Sequence, residues 1–374
     1  MTNKIILERT EKLYGLDHLR ALAIILVFFF HYYIVSGGKP RWLPNVASFG
    51  WTGVDLFFVL SGFLISSQLF QQIKQAQNIS FKTFFLKRFF RIVPALLVTL
   101  GLYFCIPFFR EKEGLPPLWK FLTFTQNIGL NIKDYGTFSH CWSLCVEEHF
   151  YFLLPIILIF LQSSKLFSKS FWLLLALFIF GFAIRTYSFN HLYLSKIDDD
   201  NSWLYWYKYI YYPTYNRLDG LLVGVTIAGI YVFKSSLFDK VSKLGNLFIF
   251  LGLCLLTGAY FLCEDQQTLN ASIFGFPLIA FGFGFIVLGA ISPSSFLYKW
   301  NSRTTTYIAT LSYAIYLTHK GIIHTTIKLL DNYKIDNNVM VVICIITCIL
   351  GAYLLNLTIE KPFMKLRNKI IEQK

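Results

Sequence analysis

The sequence predicts an all-α, polytopic membrane protein with about ten transmembrane helices. Of its 374 residues, 55% are hydrophobic and only 14% charged, against about 25% charged in an ordinary soluble domain. Its mean hydropathy is +0.54. The apolar residues fall in runs of about 20, the length a helix needs to cross a bilayer. A soluble globule and a disordered chain are excluded on these grounds.

Ten runs qualify: 19–37, 51–71, 92–109, 142–161, 170–190, 217–233, 244–263, 271–290, 304–323 and 338–359. Twenty-one of the 34 Lys and Arg residues fall in the two terminal segments and alternate loops. The positive-inside rule then puts both termini in the cytoplasm, and an even number of spans agrees. The formal net charge of +14 does not point to nucleic acid, because the basic residues sit at span ends. Membrane lipid headgroups are the partners it implies. The seven cysteines form no CxxC pair and lie mostly in apolar runs, so they read as small buried hydrophobes, with no metal site expected. No hydrophilic stretch is long enough for a second domain. One membrane domain is expected over 1–374, with a core of about 14–365 and no appended soluble domain.

An ionisable side chain in hydrocarbon costs about 2.5–3.5 kcal/mol, so each one inside a span is a functional candidate. In the first span Arg20 and His31 are eleven residues apart. On a helix that is three turns plus about 20°, which puts both on one face about 16 Å apart along the axis. The second span begins Gly50-Trp51-Thr52-Gly53-Val54-Asp55 and enters from outside, which sets Asp55 at the depth of His31. Before the third span, Arg88 and Arg91 share a face; they are either topology signals or a phosphate clamp, since guanidinium forks match phosphate oxygens. The fourth span opens Trp142-Ser143-Leu144-Cys145-Val146-Glu147-Glu148. Glu147 and Glu148 point about 100° apart, so one of the two faces inward.

The sixth span opens Asn216-Arg217-Leu218-Asp219-Gly220, which reads either as part of a polar cavity or as an intramembrane ion pair. In the ninth, Ser312, Tyr316 and His319 are spaced i, i+4, i+7 on one face. Five spans thus place polar groups near one level in the outer half of the bilayer, which predicts a single internal, partly wet cavity. The aromatics from Trp203 to Tyr212 read as an interfacial belt or as a surface for sugar rings. A transporter or flippase with a buried solute path is the competing class.

These pieces, with Leu56-Phe57-Phe58-Val59-Leu60-Ser61-Gly62-Phe63, Arg88-Phe89-Phe90-Arg91-Ile92-Val93-Pro94, Ser312-Tyr313-Ala314-Ile315-Tyr316-Leu317-Thr318-His319 and Glu360-Lys361-Pro362-Phe363, occur in the order that acyltransferase family 3 shows. The chain resembles that family of integral membrane proteins, which includes bacterial O-acetyltransferases of cell-surface polysaccharide. The resemblance implies ten membrane helices, acetyl-CoA or another acyl-CoA as a cytoplasmic donor rather than a permanently bound cofactor, and a glycan or lipid-linked glycan hydroxyl as acceptor. It also implies a bacterial inner membrane and an essential first-span histidine, here His31. His149 departs from the glutamine common at its position.

Acyl transfer needs a base or nucleophile and donors to the carbonyl oxyanion. His31 is expected to fill the first role, with Asp55 fixing its tautomer. Arg20, Arg88 and Arg91 would hold the CoA phosphates. Glu147, Ser143, Ser312, Tyr316, His319, Arg217 and Asp219 would bind the acceptor or complete the oxyanion site.

Overall fold

The computed structural model describes residues 13–372, and helix dominates throughout. Ten long helices correspond one to one with the ten apolar runs: α1 Tyr14–Val35, α2 Gly53–Lys74, α3 Phe81–Cys105, α4 Trp142–Ser163, α5 Ser170–Tyr187, α6 Asp219–Phe233, α7 Gly245–Leu262, α8 Phe276–Ala290, α9 Arg303–Leu330 and α10 Asn337–Leu355. Among the described residues, eight helical stretches are long and apolar enough to cross a membrane. The other two depart from the simple pattern for separate reasons. Helix α6 has 15 residues, only about 22 Å of rise. Helix α9 has 28 residues but is diluted by its polar face.

Several starts follow local capping rules. Ser80 accepts from the Thr83 N–H at the head of α3, Ser302 from the Thr305 N–H at α9, and Asp336 from Asn338 and Val339 at α10. Three helices continue through π-helical turns, at Ser188–Tyr193 after α5, Ala271–Gly275 before α8 and Asn356–Glu360 after α10. The last of these leads into a final helix, Lys361–Glu372.

Burial sorts centre from rim. In α2 the central window is 78% buried, whereas in the stretch containing α5 it is 11%. The α5 surface, including Phe171, Trp172, Ile179 and Phe180, is therefore left for lipid. At the centre, α2 and α6 touch backbone to backbone. A Cβ on Gly62 would stand 2.2 Å from the Leu221 carbonyl oxygen, and one on Gly224 would stand 2.3 Å from that of Val59. Such close approach is the usual use of small residues between membrane helices.

The chain before α6 is irregular where hydrocarbon normally forbids it, and side chains satisfy its backbone. Asn216 donates to the Tyr209 and Ile210 carbonyls, Asn127 to that of Tyr212, and Arg185 to that of Asn216. Trp206, Tyr211 and Tyr212 are buried in this segment. Three of the seven aromatics of the expected interfacial belt therefore belong to the core. Five cysteines are buried as expected, but Cys105 and Cys254 are exposed; all seven are free.

Candidate active site

Both described chain ends lie at one end of the bundle, and that end carries a cavity of about 450 Å³. Arg20 from α1, Lys87, Arg88 and Arg91 from α3, and Arg367 from the final helix line it. The eleven-residue arithmetic in α1 and the i, i+3 pair in α3 thus bring Arg20, Arg88 and Arg91 around one space. Arg20 is held by Asp17 at 3.2 Å, and the Arg88 guanidinium sits 4.6 Å over the Tyr151 ring. No carboxylate pairs with Arg88 or Arg91 among the described residues.

The cavity narrows onto polar groups. Glu147 accepts hydrogen bonds from Ser61 and Tyr151, each 2.9 Å long. Glu147, not Glu148, lines the space, together with Ser143, Ser312 and Tyr316. Ser143 Oγ and the Tyr316 hydroxyl are 2.5 Å apart. Tyr316 also donates to the carbonyl of His140. These two side chains form part of the cavity's end wall.

Behind that wall lie three imidazoles. His31 and His319 face each other at a centroid distance of 4.9 Å; His140 is 5.6 Å from His31 and 4.9 Å from His319. Carbonyl oxygens only accept, which fixes the tautomers. His319 Nδ1 lies 3.0 Å from the Ile315 oxygen and 2.8 Å from that of Tyr316, so it carries the proton. Neutral His319 then offers Nε2 as an acceptor. His31 Nδ1 lies 3.1 Å from that atom and 3.0 Å from the Val27 oxygen, so it too must donate. His31 Nε2 is left with a lone pair and no partner among the described residues. His319 thereby orients His31 as a proton acceptor.

Asp55 does not perform that task. Its carboxylate takes the Arg217 guanidinium at 2.8 Å, with both side chains buried. Arg217 in turn lies 4.0 Å from the Phe276 ring centroid, 4.6 Å from that of Tyr211 and 5.3 Å from that of Trp142. Nor do Arg217 and Asp219 pair or reach the cavity. Asp219 takes Arg185 from α5, with Nη1 and Oδ2 at 2.6 Å. The structure therefore corrects two expectations. The polar groups divide into a cavity, a histidine cluster and an ion-pair layer instead of sharing one space. The ion pairs fix α2, α5 and α6 together, because each charge is repaid by a partner on another element.

Several contributors escaped the sequence reading. Arg185 is an ionisable residue within the fifth span and was detectable by the depth argument. Lys87, Arg367, Ser61 and Tyr151 carry no signal beyond their neighbours. His140 precedes the fourth span and reads there as loop. Among the described residues, no group of three or more His, Cys, Asp or Glu side chains is arranged to hold a metal ion.

A helical bundle with a basic-mouthed cavity and three imidazoles behind its end wall defines an all-α, polytopic membrane protein. Residues 13–357 match the acyltransferase domain model of acyltransferase family 3, and the chain belongs to that family. It is 28% identical over 390 aligned residues to O-acetyltransferase OatA of Staphylococcus aureus strain NCTC 8325. It is 27% identical over 379 residues to SACOL0978 of S. aureus strain COL, which is named as a candidate O-acetyltransferase. The first alignment covers 96% of this chain and 59% of the relative, the second 94% and 57%. The chain thus spans less than two thirds of the length of these curated relatives. No solved structure matches it.

Arg88 and Arg91 give a direct test of the cavity. With acetyl-CoA as donor, Arg88→Gln/Arg91→Gln is expected to raise KM about 10- to 100-fold while kcat falls less, the result of removing two charge-assisted bonds of about 1.5–3 kcal/mol each with some compensation by Arg20. An unchanged KM would place the donor elsewhere.

Proposed function

We propose that the protein is a membrane O-acyltransferase that moves an acyl group, acetyl by default, from cytoplasmic acyl-CoA to a hydroxyl of a cell-surface glycan. The observation that carries this reading is the basic-mouthed cavity ending at Ser143 and Tyr316, whose ring meets His140 and His319, the latter bonded to His31. Phosphates of the donor would engage Arg20, Arg88 and Arg91, the guanidinium groups at the mouth. The pantetheine arm would follow the cavity, and the thioester would reach the histidines once the Tyr316 side chain turns aside. His31 Nε2 would take the acceptor hydroxyl's proton as oxygen attacks the thioester carbonyl, then return it to the departing thiolate. The products are an ester and a free thiol, with no proton gained or lost.

Family membership and the O-acetyltransferase names of the relatives support this reading. The O-acetyltransferase names of the relatives, rather than the shape of the cavity, weigh against the transporter. The basic end would face the cytoplasm of a bacterial inner membrane, in line with the positive-inside count. Mass spectrometry of surface glycans from cells with and without the gene tests the acceptor. An added acetyl mass only with the gene supports the proposal, and identical glycans contradict a glycan acceptor.

A further inference from the structure

His140 stands out among the buried polar groups. It is 2% exposed, and neither ring nitrogen has a hydrogen-bond partner. An unsatisfied buried imidazole costs free energy of about 1–3 kcal/mol and calls for an explanation. Phe138 covers one side of the ring at 4.9 Å, and its three other ring neighbours are polar. His31 is 5.6 Å away, His319 4.9 Å and Tyr316 5.4 Å, ring centre to centre.

The surrounding chain is built to hold this ring in place. Residues 106–141 fold over the end of the bundle opposite the basic mouth, and a buried ion pair ties them to α9, with Lys320 Nζ 2.8 Å from Glu111 Oε1. The same carboxylate accepts the Phe138 N–H at 3.0 Å, and Lys320 also donates to Ser139 Oγ at 3.2 Å. Phe138 adopts a left-handed conformation, φ 54°, and stacks on Tyr103 at 4.5 Å. A bulky residue held at positive φ is uncommon and persists where surrounding contacts enforce it. Two residues later His140 is delivered against His31 and His319, and its carbonyl takes the Tyr316 hydroxyl.

We propose that His140 is a second catalytic imidazole, whose free N–H donates to the carbonyl oxygen of the acyl group as that oxygen becomes an anion. The proposal rests on the acyltransferase reading and deepens it. Acyl transfer needs two protein functions at once, a base for the attacking hydroxyl and a donor for the oxyanion. His31 supplies the lone pair, because its own proton is committed to His319 and Val27. It cannot also supply the donor. A neutral His140 carries one N–H, and no acceptor among the described residues stands within hydrogen-bonding geometry of it. When the attacking oxygen adds, the carbonyl π pair moves to oxygen, and His140 donates a hydrogen bond there without giving up its proton. When the C–S bond breaks, that pair re-forms the carbonyl, and His140 ends as it began.

The test uses the intact protein in membranes supplied with acetyl-CoA and a glycan acceptor. His140→Phe keeps the ring's size and removes the donor. It is expected to lower kcat about 10²- to 10³-fold, the usual effect of losing one oxyanion donor, with acetyl-CoA affinity within about twofold of the native value. His140→Asn keeps an amide N–H close to the same place and is expected to recover at least about tenfold over the Phe variant. Activity of His140→Phe near native, in a preparation where His31→Ala is inactive, would overturn the assignment and leave the acyltransferase reading standing. Equal loss in the Phe and Asn variants would also overturn it, by reducing His140 to a packing role. Native activity in both His31→Ala and His140→Phe would instead overturn the site itself.

Discussion

Cells carrying His31→Ala are expected to show glycans indistinguishable from those of the deletion, with acetyl transfer lowered about 10²- to 10⁴-fold, the range for loss of a positioned general base. The loss should be chemical rather than structural. The His31 ring is half-buried, its bonds run to His319 and to its own helix, and α1 is anchored elsewhere. At its start, His18 bonds Thr305 Oγ1 and the Trp300 carbonyl, both at 2.7 Å. Along α1, Ala23, Ile24 and Val27 are buried in the core. Membrane yield and acetyl-CoA affinity should therefore match the native protein. Full acetylation in the variant would remove His31 from the reaction.

Arg217→Met is expected to destabilise the protein by about 3–5 kcal/mol, because it leaves the Asp55 carboxylate buried without its partner. The consequence extends to the site. Arg217 packs against Trp142, the residue from which α4 proceeds to Ser143 and Glu147. The double variant Arg217→Met/Asp55→Leu removes both charges and should regain most of the loss, since apolar replacements of buried pairs are often neutral. Thermal unfolding in detergent across the two single variants and the double variant reads this directly. A double variant no more stable than Arg217→Met would show that the aromatic cage around the guanidinium, not the ion pair, carries the energy.

The bundle was legible because hydrocarbon leaves the chain few options. Ten apolar runs became ten helices; α8 reaches spanning length through the π-helical turn before it, and α6 and α9 fall outside the eight spanning stretches among the described residues. Positions along one helix were legible too. Arg20 and His31 do share a face, one at the cavity and one behind its end wall, and Ser312, Tyr316 and His319 do line one side of α9. What depth cannot supply is azimuth between helices. Asp55 reads from sequence as level with His31, but Gly53 already packs against Ala23 and Val27, and which way Asp55 faces depends on how α2 rolls against α6, close at Gly62 and Gly224. The split of Arg217 from Asp219 follows a simpler geometry. Arg217 lies before the first turn of α6 and meets α2, whereas Asp219 opens the helix and meets α5. His140 was not legible because its position comes from a loop clamped by Glu111 and Lys320, two charges 209 positions apart in the sequence.

The central claim is that the basic cavity takes the donor and that His31 stands at the far side of its end wall. Sealed membrane vesicles of each orientation, given labelled acetyl-CoA and acceptor glycan, test it most directly. The account predicts label in the glycan only when acetyl-CoA is offered to the face bearing Arg20, Arg88 and Arg91, and none with His31→Ala in either orientation. Label incorporated equally from both faces, or undiminished in the His31→Ala vesicles, would contradict it.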